Sequence, residues 1–178
     1  MKKVIFIMFV VFLGLMMTAQ ENKTEQVPEL KDIDAFQLAV MPFTGSFEQM
    51  EKSIAVFMGE FFKQGLQPAG PFMGVYYNSP QEVKEEDLKW ELAFPIAKDT
   101  EIKEPLQKRE YEKAKAVVYL YIGPYEKMDK AYDKVFKFVE DNGYEITWPS
   151  FDKYLNNPME VKPEYLKTEI IVPVKKKE

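Results

Sequence analysis

Glu91 and Glu169 are the residues whose type and spacing are best suited to chemistry, because they occupy equivalent positions of a sequence repeat and each lies in a predicted strand. Successive side chains of a strand point to opposite faces of a sheet. Each glutamate alternates with apolar neighbours, so both should lie on the face that those neighbours leave open. A partly desolvated carboxylate there would attract a cationic molecule. The alternative is that both are solvated and paired with the adjacent Lys89 and Lys167.

Apolar and aromatic residues of two opening strands complete this predicted cleft. Alternation assigns Phe36, Leu38 and Val40 to the side covered by a helix, and the residues between them to the open face. Aromatic rings attract cations by roughly 0.5 to 2 kcal/mol each, so the cleft should suit a flat apolar molecule, especially a positively charged one. The predicted cleft walls are Met41, Phe43, Tyr119 and Tyr121.

The composition excludes several kinds of site. The chain has no His and no Cys, which rules out nucleophile-histidine pairs, His-ligated haem, HExxH zinc sites and thiolate chemistry. We therefore assign no catalytic residue, no metal and no cofactor from the sequence. The formal net charge is −5, and nucleic acid is not an expected partner, because phosphate binding needs Lys and Arg clustered on one face.

An internal repeat sets the predicted architecture. An offset of 78 residues aligns 40–96 with 118–174 without a gap, and identities such as Tyr76 with Tyr154 recur through every element. Chance does not preserve such register through helices and loops together. The two halves of the chain should therefore fold alike.

Each copy has the pattern of a strand, a helix and two further strands. Helices are predicted over 46–64 and 124–142, because apolar residues recur at helical spacing and a glycine follows each segment. The sequence thus predicts an α+β domain. It should consist of duplicated strand-helix-strand-strand units, about 35–97 and 113–175, with pseudo-twofold symmetry, an antiparallel sheet, two helices and a central cleft.

The N-terminal residues have the composition of a secretory signal peptide. A short basic start and an apolar stretch over 4–17 are followed by small residues. This stretch is shorter than the roughly 20 residues that cross a bilayer, so a cleaved signal peptide over 1–19 is preferred to an uncleaved anchor. Residues 20–34 are predicted to form a flexible linker and 35–178 the domain. The mature protein is expected to be periplasmic or secreted, without membrane attachment.

Four segments, in their order and together with the repeat, resemble the GyrI-like small-molecule-binding domain, which is also the effector-binding domain of AraC-type and multidrug-sensing transcription regulators. They are GLQPAGPFMGVYYNSP (65–80), IGPYEKM (122–128), FDKYLNNP (151–158) and LKTEIIVPV (166–174). The resemblance implies a cleft for bulky cationic or aromatic ligands, with a buried acid at Glu169, a tyrosine at Tyr154 and a further wall at Trp148. The predicted signal peptide stands where the regulators carry a helix-turn-helix segment, so DNA binding is not expected.

The first functional hypothesis is an exported protein that holds a bulky aromatic or cationic amphipathic molecule in the cleft between the repeats. Two alternatives stay open. A hydrolase of reactive, cyclopropane-bearing electrophiles would use Glu169 as general base and Tyr154 as the orienting hydroxyl. A peptide or protein interaction module would use the same cleft.

Overall fold

The computed structural model describes residues 26–178. The predicted signal peptide, 1–19, and the first part of the predicted linker, 20–25, lie outside the described residues. No helix within the described range combines the length and the apolar character needed to cross a membrane.

Nine strands and two α-helices form the described part of the chain. The strands are β1 (Glu29–Ile33), β2 (Phe36–Thr44), β3 (Met73–Tyr76), β4 (Lys89–Pro95), β5 (Gln107–Tyr111), β6 (Ala114–Ile122), β7 (Tyr144–Ile146), β8 (Ser150–Tyr154) and β9 (Lys167–Lys176). The helices are α1 (Met50–Lys63) and α2 (Met128–Asp141), each preceded by a short 3-10 turn.

Each helix forms where apolar residues recur at helical spacing, and each is followed by a glycine. α1 buries Phe57 and Phe61, four residues apart, and α2 buries the residues at the equivalent positions, so both helices present one apolar face to the sheet. Gly65 and Gly143 follow the helices with φ of +72° and +68°. This left-handed conformation favours glycine, and it stops both helices where the sequence predicts.

The strands form one antiparallel sheet in the order β1-β6-β9-β8-β3-β4-β2-β5, with β7 paired to β9. The repeat offset of 78 residues relates β1 to β5, β2 to β6, β3 to β8 and β4 to β9. Exchanging these equivalents reverses the strand order without changing the neighbours, so a pseudo-twofold axis passes between β3 and β8. The predicted α+β fold class, with duplicated units, an antiparallel sheet and two helices, is confirmed.

The first strand of each half pairs with the other half. β1 pairs with β6 along its whole length, and β5 pairs with β2 in the equivalent way. The flexible linker predicted over 20–34 is therefore wrong for Glu29–Ile33, and each repeat unit is one strand longer than predicted. β1 is mostly exposed and rich in charge, so it lacks the apolar alternation by which strands are recognised. Backbone hydrogen bonds to β6 define it instead.

The helix-free face of the sheet is packed, not open. The sheet curls around a buried core there, and the rings of Phe36, Tyr111 and Phe151 contact one another at centroid distances of 4.9 to 5.3 Å. A cleft on this face, as the sequence predicts, is therefore wrong. The buried residues of this core are Leu38, Val40, Met73, Val75, Ala93, Ala116, Val118, Phe151 and Ile171.

The structure also reverses the predicted faces of the first opening strand. Leu38 and Val40 belong to the helix-free core, with Phe36 packed against it, whereas Met41 and Phe43 pack under α1. Four consecutive residues of β2 are buried. A strand that is buried on both faces carries no polar alternation, so its sequence does not distinguish one face from the other.

Candidate functional site

A cavity of about 1080 Å³ lies on the helix side of the sheet, between α1 and α2 and over the central strands β3 and β8. Many of its residues occupy equivalent positions of the two halves, so the pseudo-twofold axis passes through its floor. The lining residues are Phe47, Met50, Ile54, Met58, Pro71, Phe72, Tyr76, Asn78, Ser79, Pro80, Gln81, Tyr125, Met128, Asp129, Tyr132, Phe136, Trp148, Ser150, Asp152, Tyr154, Leu155, Asn156, Asn157 and Pro158.

The two helices supply matching walls of this cavity. Three positions, each four residues after the last, place side chains on one face of each helix. Thioethers and aromatic rings at these positions can adapt to ligands of different shape. The facing residues are Met50, Ile54 and Met58 of α1, and Met128, Tyr132 and Phe136 of α2.

Asp152 is the buried acid of the cavity. It lies on β8 with 2% of its surface exposed, and the Tyr132 hydroxyl donates a hydrogen bond of 2.8 Å to its Oδ1 atom. Burial raises the pKa of Asp152 to about 7, while hydrogen bonds from Tyr132 and Tyr76 act in the opposite direction. The carboxyl group is therefore close to its titration midpoint at neutral pH.

Two tyrosines meet across the pseudo-twofold axis beside this acid. Tyr76 and Tyr154 are equivalent residues of the two halves, and their hydroxyl oxygens lie 3.1 Å apart. The Phe47 ring packs edge-on against Tyr76, and the Phe72 ring stacks on Tyr154. Burial raises the pKa of both tyrosines above the ordinary value, so both hydroxyls stay protonated and can donate hydrogen bonds.

Two of the eight residues predicted for the site line the cavity: Tyr154 and Trp148. The four predicted apolar walls do not line it, because they are packed in the cores beneath the helices. Met41 and Phe43 lie under α1. Tyr119 and Tyr121 lie under α2, where the Tyr121 hydroxyl donates to the backbone oxygen of Pro124. Their assignment to a helix-free cleft is wrong. β2 and β6 each have four consecutive buried residues, so the sequence does not show which of their faces meets a helix.

The two predicted glutamates also lie outside the cavity. Glu91 is buried on the helix-free side, where Arg109 donates to its Oε1 atom at 3.0 Å and Tyr77 to its Oε2 atom at 2.9 Å. Glu169 is 31% exposed and pairs with Lys153 at 3.2 Å. Both face away from the helices, as predicted, but that face holds no cleft. Neither glutamate pairs with the lysine next to it, because adjacent residues of one strand point to opposite faces. Arg109 reaches Glu91 from β5, two strands away, and Lys153 reaches Glu169 from the neighbouring β8.

Asp152, Tyr76 and Tyr132 are cavity residues that the sequence analysis missed. The signal for Asp152 was present in the segment FDKYLNNP, because residues two apart on a strand share a face, so Asp152 must accompany Tyr154. Tyr76 follows from Tyr154 through the repeat. Within residues 26–178, no group of three or more acidic, His or Cys side chains is placed to hold a metal ion.

Comparison with solved structures finds this fold in EcmrR. The chain superposes on EcmrR in its DNA complex with a TM-score of 0.75 and 24% identity, over 85% of this chain and 58% of that one. The EcmrR C-terminal domain alone is covered to 99%, over 85% of this chain, with a TM-score of 0.72 and 23% identity. This protein therefore spans little more than half of the EcmrR chain seen in the complex, and corresponds to its C-terminal domain.

Two further solved structures share the fold at lower identity. A hydrolase from Listeria innocua superposes with a TM-score of 0.60 and 14% identity, covering 84% of this chain and 92% of its own. SAV2435, solved with bound tetraphenylphosphonium, superposes with a TM-score of 0.57 and 16% identity, covering 83% and 93%. Identities this low establish the fold alone.

The sequence itself was also compared with known proteins. No curated protein sequence matches the chain. A family model described as the GyrI-like small molecule binding domain matches residues 26–175, which is nearly all of the described chain. This protein therefore belongs to the GyrI-like small molecule binding domain family.

Proposed function

We propose that this protein is an exported small-molecule-binding protein, which holds a bulky aromatic or cationic amphipathic molecule in the cavity between α1 and α2. One observation supports this above the others. Asp152 is a buried carboxyl group inside an otherwise largely apolar cavity, where the neutral hydroxyl of Tyr132 donates a hydrogen bond to it and that of Tyr76 also lowers its pKa.

The size and lining of the cavity favour a drug-sized ligand. Its volume of about 1080 Å³ is slightly above the range of roughly 300 to 1,000 Å³ that is usual for small-molecule sites. A buried carboxylate that no cation balances is costly. A ligand that carries a positive centre to Asp152 would remove that cost and would also contact the aromatic walls.

Two of the similar structures are consistent with this role. SAV2435 was solved with tetraphenylphosphonium, which is a bulky aromatic cation, and EcmrR shares the same fold in the domain that corresponds to this chain. Tetraphenylphosphonium is therefore the first probe to use. It has no titratable group, so its binding reports only on the protein.

The decisive experiment is calorimetric titration of purified protein with tetraphenylphosphonium at about pH 8. Asp152→Asn should weaken binding about tenfold or more, because an interaction with a desolvated charge is lost. Neutral triphenylphosphine oxide should lose less than about threefold. Glu169→Gln is the matched control, since Glu169 lies outside the cavity and should leave both affinities unchanged. Equal losses for both probes in Asp152→Asn would contradict a charge-based role.

Export is proposed from the sequence of residues 1–19, which has the basic start and apolar stretch of a signal peptide. Expression of the full chain in a bacterium should yield a mature protein outside the cytoplasm. N-terminal sequencing should then find a start close to Gln20. A full-length protein in the cytoplasmic fraction would contradict export, without any effect on the ligand-binding proposal.

A second candidate function is hydrolysis of a reactive electrophile, such as a cyclopropane-bearing compound. The observation that favours it is the pKa of Asp152, which burial raises to about 7, close to the value at which a general base works best at neutral pH. The carboxylate would accept a proton from the attacking water, with Tyr132 or Tyr76 orienting the reactants. Here Asp152 would take the role that the sequence resemblance assigned to Glu169.

Turnover distinguishes this candidate from simple binding. Purified protein should consume a cyclopropane-bearing test compound faster than buffer does, and Asp152→Asn should abolish the difference. Consumption at the buffer rate would exclude hydrolysis of that compound. Glu169→Gln is again the control that should retain full activity.

A further inference from the structure

The floor of the cavity contains one position at which the two halves differ sharply. Gly74 and Asp152 are equivalent residues, 78 apart, and they also face each other in register across the β3 and β8 pair. Both therefore lie at the pseudo-twofold axis. One half places an acid there, and the other half places no side chain at all.

The backbone does not require glycine at position 74. Gly74 is not among the glycines with positive φ, so any residue could adopt its conformation. The space is the constraint. A Cβ atom on Gly74 would lie 2.5 Å from the hydroxyl oxygen of Tyr76 and 2.8 Å from its Cζ atom, closer than real Cβ atoms approach. The phenol of Tyr76 occupies the volume that a side chain at position 74 would fill.

This placement gives the Tyr76 hydroxyl two polar neighbours. It lies 3.1 Å from the Tyr154 hydroxyl, and it lies over Gly74, whose cross-strand neighbour is Asp152, so that it lowers the pKa of that carboxyl group. An ionised carboxylate only accepts hydrogen bonds, so the Tyr76 hydroxyl can act on Asp152 only as a donor, whereas either hydroxyl can donate in the bond between Tyr76 and Tyr154. Tyr132 donates to Asp152 from the helix side. One tyrosine of each half thus favours the ionised form of Asp152, against the larger opposing effect of burial.

We propose that Gly74 is a positioning residue of the ligand site, because the space that it leaves lets the Tyr76 hydroxyl reach Asp152 and keep that carboxylate available to a cationic ligand. The part of this that concerns a ligand rests on the proposed function. The part that concerns Asp152 itself can be tested without any ligand.

The groups around Asp152 allow a clean pH measurement. Tyr132 from α2, Tyr76 from β3 and Tyr154 from β8 all have raised pKa values, mainly because they are buried, so they stay neutral across the range of interest. Asp129 of α2 also lines the cavity, but it is exposed and its charge is screened by solvent. Lys153 is paired with Glu169 on the opposite face.

The ligand-free test is an NMR titration of the Asp152 carboxyl carbon in the wild type and four variants. Gly74→Ala should displace the Tyr76 ring and raise the midpoint by about one pH unit, as expected for loss of a hydrogen bond to a charged group. Tyr76→Phe should give the same shift with no added atom, and the double variant should not exceed it. Gly59→Ala is the matched control, because a Cβ there meets no atom within 4 Å.

The ligand test uses tetraphenylphosphonium at two pH values. At about pH 7, Gly74→Ala should bind roughly fivefold more weakly than the wild type, because fewer Asp152 side chains are ionised. At about pH 9 the affinity should return to the wild-type value. A methyl group that merely blocked the cavity would weaken binding equally at both pH values, and that result would overturn the proposal.

Different results would contradict the role of Gly74 and the proposed ligand binding. An unchanged Asp152 midpoint in both Gly74→Ala and Tyr76→Phe would overturn the role of Gly74, even if Asp152→Asn still abolished binding. Absence of tetraphenylphosphonium binding to the wild type at every pH would contradict the proposed function for this probe, and the NMR titration would still decide the role of Gly74. Tyr76→Phe keeps the test valid if Gly74→Ala fails to fold.

Discussion

The two halves of the cavity are built from equivalent helices and strands but carry different side chains. Ile54 of the first half corresponds to Tyr132 of the second, and Gly74 corresponds to Asp152. Each difference adds a polar group to the second half, and those groups hydrogen bond to one another. The repeat thus provides the enclosure, whereas a few unlike positions provide the polarity. A symmetric cavity would hold either two facing acids or none.

The cores under the two helices differ in a related way. Trp90 is buried under α1, where its ring stacks on Phe43 at 4.7 Å and its Nε1 atom donates to the Gly45 oxygen at 3.1 Å. Its equivalent is Thr168, which is also fully buried, and whose hydroxyl oxygen has no hydrogen-bond partner within the described residues. The first half is therefore stabilised by a large aromatic residue, and the second carries an unsatisfied polar atom.

The largest effect that tests this comparison is expected at position 90. Trp90→Ala should lower the free energy of unfolding by about 3 to 5 kcal/mol, because a large cavity forms. Thr168→Val, which removes the hydroxyl at nearly constant volume, should leave stability unchanged or raise it by up to about 1 kcal/mol. Urea denaturation measures both. A loss for Thr168→Val as large as that for Trp90→Ala would show that the two cores depend equally on these positions.

The next effect concerns the pH dependence of stability through Asp152. Its pKa is about 7 in the folded protein against 3.8 for an exposed carboxyl, so between these values the folded state holds a proton that the unfolded chain has lost. Stability should therefore fall as pH rises from about 4 to about 7. At about pH 8, Asp152→Asn should be more stable than the wild type by roughly 2 to 4 kcal/mol.

Denaturation of both proteins as a function of pH tests this expectation. The difference between them should vanish below about pH 3, where Asp152 is neutral in both states. A difference that does not change with pH would mean that burial of Asp152 does not affect its titration, and the contrast between the two halves of the cavity would then be one of shape alone.

The smallest effect compares the two glutamates on the helix-free side. Glu91→Gln should cost about 1 to 3 kcal/mol, because the Glu91 carboxylate is only 4% exposed and binds both Arg109 and Tyr77. The equivalent Glu169→Gln should cost less than about 0.5 kcal/mol, because both side chains of its pair with Lys153 are about 30% exposed. Thermal unfolding of both variants measures the difference. Equal losses would mean that the burial of Glu91 does not determine the strength of its pair.

The repeat made most of the fold predictable. It predicted both helices and six of the nine strands in their order, without β1, β5 and β7, and the glycines after α1 and α2 marked the helix ends. The site was less predictable, because β2 is buried on both faces and its sequence does not show which face meets the helix. The prediction that Met41 and Phe43 face away from the helix therefore puts the cleft on the wrong side of the sheet.

Asp152 was missed for a different physical reason. The acids of the closing strands stand out in the sequence because they occur in both halves, whereas Asp152 has Gly74 as its equivalent. Searching for matched pairs conceals any residue that makes the two halves differ. Tyr154 was recognised through the family resemblance, and its strand periodicity would have led directly to Asp152.

The exchange of β1 and β5 between the halves has a consequence for how the molecule holds together. The first strand of each half pairs with the other half, β1 with β6 and β5 with β2, so neither half has a complete sheet by itself. A protease that cut the exposed connection after β4 would leave two fragments still joined by three strand pairs: β1 with β6, β2 with β5 and β3 with β8. The peptide connection thus keeps the halves close during folding, and the strand pairs between the halves hold the folded molecule together.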